Sequence, residues 1–257
     1  MKTRALIRKL ADRFPRRLAE RGDYVGLMTG RLKDETNTVV LCLDFDEEVM
    51  SLIEGQERKV DLILTHHPFI YGTKHKVFQQ DEIKRRLCAR VDELDIPVYS
   101  MHTNFDAGRD GMNDALASAL GLSDIRPLET CPMARGGRLA EKTDIRLFAK
   151  SAARRLRVPY GLLTQGGKAQ IETVAIVGGG GSSCYGAALS EGYDLFISGD
   201  APHHIRRSIL AHGYNFLDLP HEIEKIFIPQ MKKIIAEFDE DLFIIAIDHE
   251  KAPEVIR

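Results

Sequence analysis

Histidines and carboxylates recur at four points where an apolar run gives way to polar residues: Thr65 to Pro68 (THHP), His102 to Gly108 (HTNFDAG), Gly199 to His204 (GDAPHH) and Pro220 to Glu224 (PHEIE). Neutral imidazoles and ionised carboxylates are the side chains that bind divalent transition metals. Adjacent histidines on an extended segment project to opposite sides, so His66 and His67 suit two ions, one each, better than a single ion. Asp106 offers two oxygens and can bridge such a pair, and His221 and Glu224 share a face if a helix starts there. The set His66, His67, Asp106, His221 and Glu224 therefore reads as a ligand set for two divalent metal ions. Its mixed nitrogen and oxygen donors fit Zn, Fe, Mn, Ni or Co without choosing among them.

Elements able to hold these residues are visible around them. The apolar, β-branched runs Thr38 to Leu43, Asp61 to Thr65 and Ile96 to Met101 are separated by a helical pattern with Ile83, Leu87, Val91 and Leu94 on one face. The same alternation returns at Val174 to Val177, Asp194 to Ser198 and Tyr214 to Leu219, with a helix expected over Ser183 to Glu191. The fold class is α/β, with ligands expected beyond the carboxyl ends of the strands. DLILTHH, from Asp61, and DLFISGD, from Asp194, place an Asp, four mostly apolar positions and a polar exit in the same order. An internal duplication is inferred, with a domain from 1 to 126 and a second from 127 to 257. At the N-terminus, Leu6, Ile7, Leu10, Phe14 and Leu18 mark a basic-faced helix over residues 3 to 21, which Pro15 kinks or splits.

Composition narrows the function. Over 257 residues, 44% are hydrophobic, which supports a folded core. The longest apolar stretches, such as Phe243 to Ile247, are far too short to span a bilayer, and no signal-peptide pattern follows the basic start; a soluble, cytoplasmic protein is expected. Basic side chains number 36 against 38 acidic, so nothing points to bulk nucleic-acid binding, and any such role requires a local patch. Cys42, Cys88, Cys131 and Cys184 are far apart, excluding close metal-binding or redox pairs, and all four are expected to be reduced.

Two further features stay open on residues alone. Gly178 to Ser183 (GGGGSS) stands between a strand and a helix, where it is either a phosphate-holding loop or a tight turn with Ser182 or Ser183 capping the helix. It matches neither the dinucleotide nor the P-loop pattern. Lys74, His75 and Lys76 form a solvated loop or an attraction for an anionic substrate.

Together, GDYVGLMTG, DLILTHHP, HTNFDAG followed by GMNDALASALGL, VAIVGGGGSS, GYDLFISGDAPHH and DLPHEIEK make the chain similar, almost end to end, to the YbgI-like family of dinuclear-metal-centre proteins. That family is also known as the NGG-one-interacting factor three family and as homologues of type 2 GTP cyclohydrolase I. The resemblance implies two intertwined α/β domains, metal ligands at strand-exit loops, and a toroidal hexamer. It implies ligands at His66, His67, Asp106, His221 and an acid shortly after. Many members carry that acid four residues after the last His, where this chain has Lys225; Glu224 is assigned, with Glu222 as substitute. His102 and His204 match polar positions beside the site and suit proton transfer. The implied activity is a hydrolase in which a metal-activated hydroxide attacks guanine C8 of GTP, the imidazole ring opens and formate leaves. The alternatives are phosphoester hydrolysis by the same metals, or a non-catalytic metal-binding or interaction protein.

Overall fold

A computed structural model describes residues 1–256. In chain order its elements are α1 (Thr3–Arg13), β1 (Gly26–Thr29), β2 (Thr38–Cys42), α2 (Glu47–Glu54), β3 (Leu62–Thr65), α3 (Lys74–Gln80), α4 (Glu82–Glu93), β4 (Val98–Ser100), α5 (Thr103–Ala107) and α6 (Met112–Ala119). There follow β5 (Ser123–Pro127), β6 (Arg135–Asp144), α7 (Ile145–Arg155), β7 (Leu162–Gln165), β8 (Gln170–Ile176), α8 (Tyr185–Ser190), β9 (Leu195–Ser198), α9 (His203–Ala211), β10 (Asn215–Asp218), α10 (Phe227–Phe238) and β11 (Phe243–Ala246). No helix among the described residues is long and apolar enough to cross a membrane.

The α/β class is as expected, but the division of the chain is not. The first compact unit comprises 1–108 and 227–250, and the second 109–226 with the described residues from 251 onward. The expected break at 126/127 falls instead near Gly108, because α10 and β11 return to the first unit, where β11 pairs in parallel with β2. A pairing between segments two hundred residues apart cannot be read from local periodicity.

In the first unit the sheet order is β1-β4-β3-β2-β11, with β2, β3 and β4 parallel and β1 antiparallel to β4. Val40, Ile63 and Val98 from the three parallel strands pack with Val49 and Ile53 of α2 and Leu87 and Val91 of α4, all buried. Asp46 caps α2 and Asp81 caps α4, each side chain accepting a hydrogen bond from a backbone N–H in the first turn.

The second unit repeats this plan. Its order is β5-β6-β8-β9-β10-β7, with β8, β9 and β10 parallel and β7 antiparallel to β10. Ala175, Phe196 and Phe216 form its core with Ala188 of α8 and Ile209 of α9. The matched aspartates also do the same work. Asp61 Oδ2 accepts from the N–H groups of Asn37 and Thr38 (2.9 and 3.1 Å), and Asp194 Oδ2 from those of Glu172 and Thr173 (2.9 and 3.2 Å). Each pins the preceding strand to the start of its neighbour, which gives the internal similarity a physical basis.

Pro15 splits the N-terminal helical stretch as expected: α1 stops at Arg13, and Pro15 leads into a 3-10 turn at Arg16–Leu18. Two other local expectations change. Lys74, His75 and Lys76 begin α3, capped by Thr73, instead of forming a loop. Cys131 and Cys184 are not reduced but joined in a disulfide, Cα atoms 6.2 Å apart, while Cys42 and Cys88 are free and buried as expected. The loop between β5 and β6 lies against the turn after β8, which brings together thiols 53 residues apart.

Candidate metal centre

β3 ends at Thr65, and the chain bends at once: the N–H groups of both His66 and His67 donate to the Leu43 carbonyl, at 3.2 and 3.0 Å. Strand alternation therefore no longer applies. The two rings, expected on opposite sides, lie with centroids 4.9 Å apart and share a cluster with His102, in which one ring nitrogen from each approaches the others within 4.8 Å.

Each of these imidazoles is held at Nδ1. His66 Nδ1 lies 2.9 Å from the Met101 carbonyl, His67 Nδ1 2.7 Å from Asp44 Oδ2, and His102 Nδ1 2.8 Å from Asp23 Oδ1. An acceptor at Nδ1 fixes the tautomer with its proton there and leaves the Nε2 lone pair to bind a cation, an arrangement typical of metal-ligating histidines. Asp106, in the first turn of α5, places Oδ1 3.6 Å from His66 Nε2. Both side chains are almost completely buried, His66 beside the rings of Phe105 and Phe227. Such surroundings are of low polarity and strengthen any ion–ligand attraction.

Asp23 is buried, which alone would raise its pKa. Hydrogen bonds from His102 and Thr103 and from the backbone N–H of Tyr24 outweigh that and hold its carboxyl at about 2. It is an anion at every physiological pH, orienting His102.

The second unit carries its own donor pair. Residues His221–Ile226 form a 3-10 turn, not an α-helix. With three residues per turn, i and i+3 eclipse, and His221 Nε2 lies 2.9 Å from Glu224 Oε2. That geometry favours Glu224 as the acid; Glu222 enters no donor cluster among the described residues. His221 Nδ1 lies 2.5 Å from Asp200 Oδ2, completing the same pattern seen at His67 and His102. Asp200 adopts φ 52°, a left-handed conformation that Asp tolerates better than most residues and that often marks a functional position.

The glycine loop packs against the donor pair of its own unit. Gly179 has φ +55°, and a Cβ placed there would come within 2.4 Å of Glu224 Oε1 and 3.1 Å of His221 Cε1. The loop is the floor on which the His221–Glu224 pair rests. Neither Ser182 nor Ser183 caps a helix through its side chain. His204 is exposed at the start of α9 and belongs to no donor cluster among the described residues, unlike His102.

Asp44, Asp23 and Asp200 were not singled out from the sequence. Asp44 stands at a fifth polar strand exit, after β2, and Asp23 within the GDYVGLMTG motif. Both signals were present, but a single carboxylate acquires meaning only when its histidine is known.

The family model for Duf34/NIF3 (NGG1p interacting factor 3) matches residues 1–253. The chain belongs to the DUF34/NIF3 family. A Clostridium perfringens relative named GTP cyclohydrolase 1 type 2 homolog is 31% identical over 265 residues, covering 98% of each chain. A Lactococcus lactis protein of the same name is 30% identical over 237 residues, covering 88% of each. Among solved structures, a Bacillus cereus protein related to NIF3 superposes with a TM-score of 0.89 at 20% identity, covering 100% of this chain and 99% of that one. Reduced HcgD from Methanocaldococcus jannaschii gives 0.80 at 26% identity, covering 96% and 98%. The NIF3 fold thus spans the described chain.

Proposed function

We propose that this NIF3-family protein is a metal-dependent hydrolase in which His66, His67, Asp106, His221 and Glu224 hold two divalent cations. The observation that carries this reading is the orientation of the imidazoles: in all three ligand histidines Nδ1 is engaged by a carbonyl or carboxylate, so that Nε2 is the basic atom presented to a cation. The donor set fits the group, supplying imidazole nitrogen and carboxylate oxygen without thiolate. Bound there, divalent ions would supply Lewis acidity, shifting the pKa of a coordinated water down toward neutrality.

The chain's own residues do the rest. His102, fixed through Nδ1 by ionised Asp23, holds Nε2 ready to take a proton from attacking water and return it to the leaving nitrogen. The buried Phe105 and Phe227 rings beside His66 keep that side of the cluster dry. Exposed His204 is given no role in this reading. The names of the relatives support a purine nucleotide substrate, GTP, opened hydrolytically at the imidazole ring: one water adds to C8 and breaks one C8–N bond to leave a formamide, and a second water hydrolyses that formamide, so that the carbon leaves as formate and the nitrogen as an amine.

The test is metal analysis of protein purified without chelator, followed by a screen of nucleotides for formate and phosphate release. Formate from a purine nucleotide, abolished by chelation and restored by metal, is expected. Phosphate without formate replaces the reaction with phosphoester hydrolysis, and metal-loaded protein that turns over nothing overturns the enzymatic reading.

A further inference from the structure

The chain's charges nearly cancel, at a formal net charge of -2, but they are not evenly spread. Residues 135 to 168 contain nine Lys or Arg and only two acidic side chains, Glu141 and Asp144. Asp144 is already engaged as the cap of α7, accepting from the N–H groups of Arg146 and Leu147.

On α7, Arg146, Lys150 and Arg154 recur at intervals of four and so form one ridge, spanning about 12 Å along the helix. All three are exposed, and none has an acidic partner among the described residues. They line one wall of an open groove of about 540 Å³. The opposite wall is uncharged and partly apolar, made by Pro159 and Tyr160, which lead into β7, and by Leu163 within β7, an edge strand of its sheet. An ordinary solvated helix face is balanced by neighbouring acids; this one has cations alone on one side and a ring and aliphatic carbon on the other.

We infer that the groove between α7 and β7 binds single-stranded nucleic acid, phosphates along the Arg146–Lys150–Arg154 ridge and bases against Tyr160 and Pro159. The match is one of charge and shape. A single strand has an anionic edge and a stackable, apolar edge, and proteins that hold it without sequence preference pair a basic track with an aromatic platform. The inference does not depend on the metal centre, since none of its residues belongs to that donor set.

The test is fluorescence anisotropy of the full chain with labelled oligo(U) and oligo(dT) of about twelve nucleotides. Three phosphate contacts predict a slope of log K against log salt near -2, so affinity falls about 20-fold between about 50 and about 200 mM salt. Arg146→Gln/Lys150→Gln/Arg154→Gln flattens that slope, with metal content and Tm unchanged because the three side chains are exposed. Tyr160→Ala weakens binding but leaves the slope. Stronger binding of oligo(U) than oligo(dT), or the reverse, identifies RNA or DNA as the source of the strand. The proposal is overturned by no binding at low salt, by a slope that the triple variant retains, or by preference for an acidic peptide or for free GTP over either oligonucleotide.

Discussion

Nδ1 of His67 and Oδ2 of Asp44 are 2.7 Å apart, a contact that joins the exits of two adjacent parallel strands, β3 and β2. It makes Asp44 a positioning residue for a proposed ligand. Asp44→Ala is predicted to weaken metal binding about 10- to 100-fold with little loss of stability, because the carboxylate is 49% exposed. Competition against a chromogenic chelator measures this. Unchanged affinity would show that His67 is not held for metal binding.

Asp23 acts on a proton, not on a metal. Asp23→Asn is predicted to lower turnover by about two to four orders of magnitude, with the metal content of the protein intact. Formate release at saturating substrate, with metal analysed on the same sample, separates the two effects. Loss of metal in step with activity would move His102 from proton transfer to ligation.

Gly179 and Gly180 offer a paired test of the glycine loop. Gly179→Ala puts a methyl within 2.4 Å of Glu224 Oε1 at a positive φ, whereas a Cβ on Gly180 meets nothing within 4 Å. The first substitution is predicted to cost about 1–2 kcal/mol in backbone conformation and to reduce bound metal, the second to do neither. Thermal melts and metal content compare them, and equal behaviour would contradict the role given to the loop.

Stability toward acid follows from Asp194. Burial would raise its pKa, but backbone N–H groups of Glu172 and Thr173 and the Lys168 ammonium, which donates at 2.9 Å, hold it below the ordinary aspartate value. A folded pKa below the unfolded one means the unfolded chain binds more protons in that range. The stabilisation is complete above the unfolded pKa and is lost as pH falls through the folded one. Asp194→Ala is predicted to cost about 1–3 kcal/mol at neutral pH, the gap to the parent narrowing below about pH 4. Urea unfolding at both pH values checks it; a constant gap would contradict it.

Much of this was legible before the structure, for identifiable reasons. β2, β3, β9, β10 and the second half of β8 are short, apolar and flanked by polar exits, so their class could be read directly. β6 could not, because Arg135–Asp144 carries two glycines and several charges in place of alternation. β11 was visible as an apolar run, but its place beside β2 is a long-range pairing. His66 and His67 were found by type; their shared cluster was not, because the strand stops one residue before them. The i to i+3 relation of His221 and Glu224 was legible, although a 3-10 turn and not an α-helix delivers it. The disulfide and the carboxylates behind the histidines required tertiary structure.

Metal stoichiometry is the most direct check on the dinuclear reading, measured by mass spectrometry on natively purified protein and on five single alanine variants at His66, His67, Asp106, His221 and Glu224. Two divalent ions per chain are predicted for the parent, with a reduced number in every variant that stays folded. Two ions retained in folded Asp106→Ala and Glu224→Ala proteins, or none bound by the parent under any metal supplied, would contradict it.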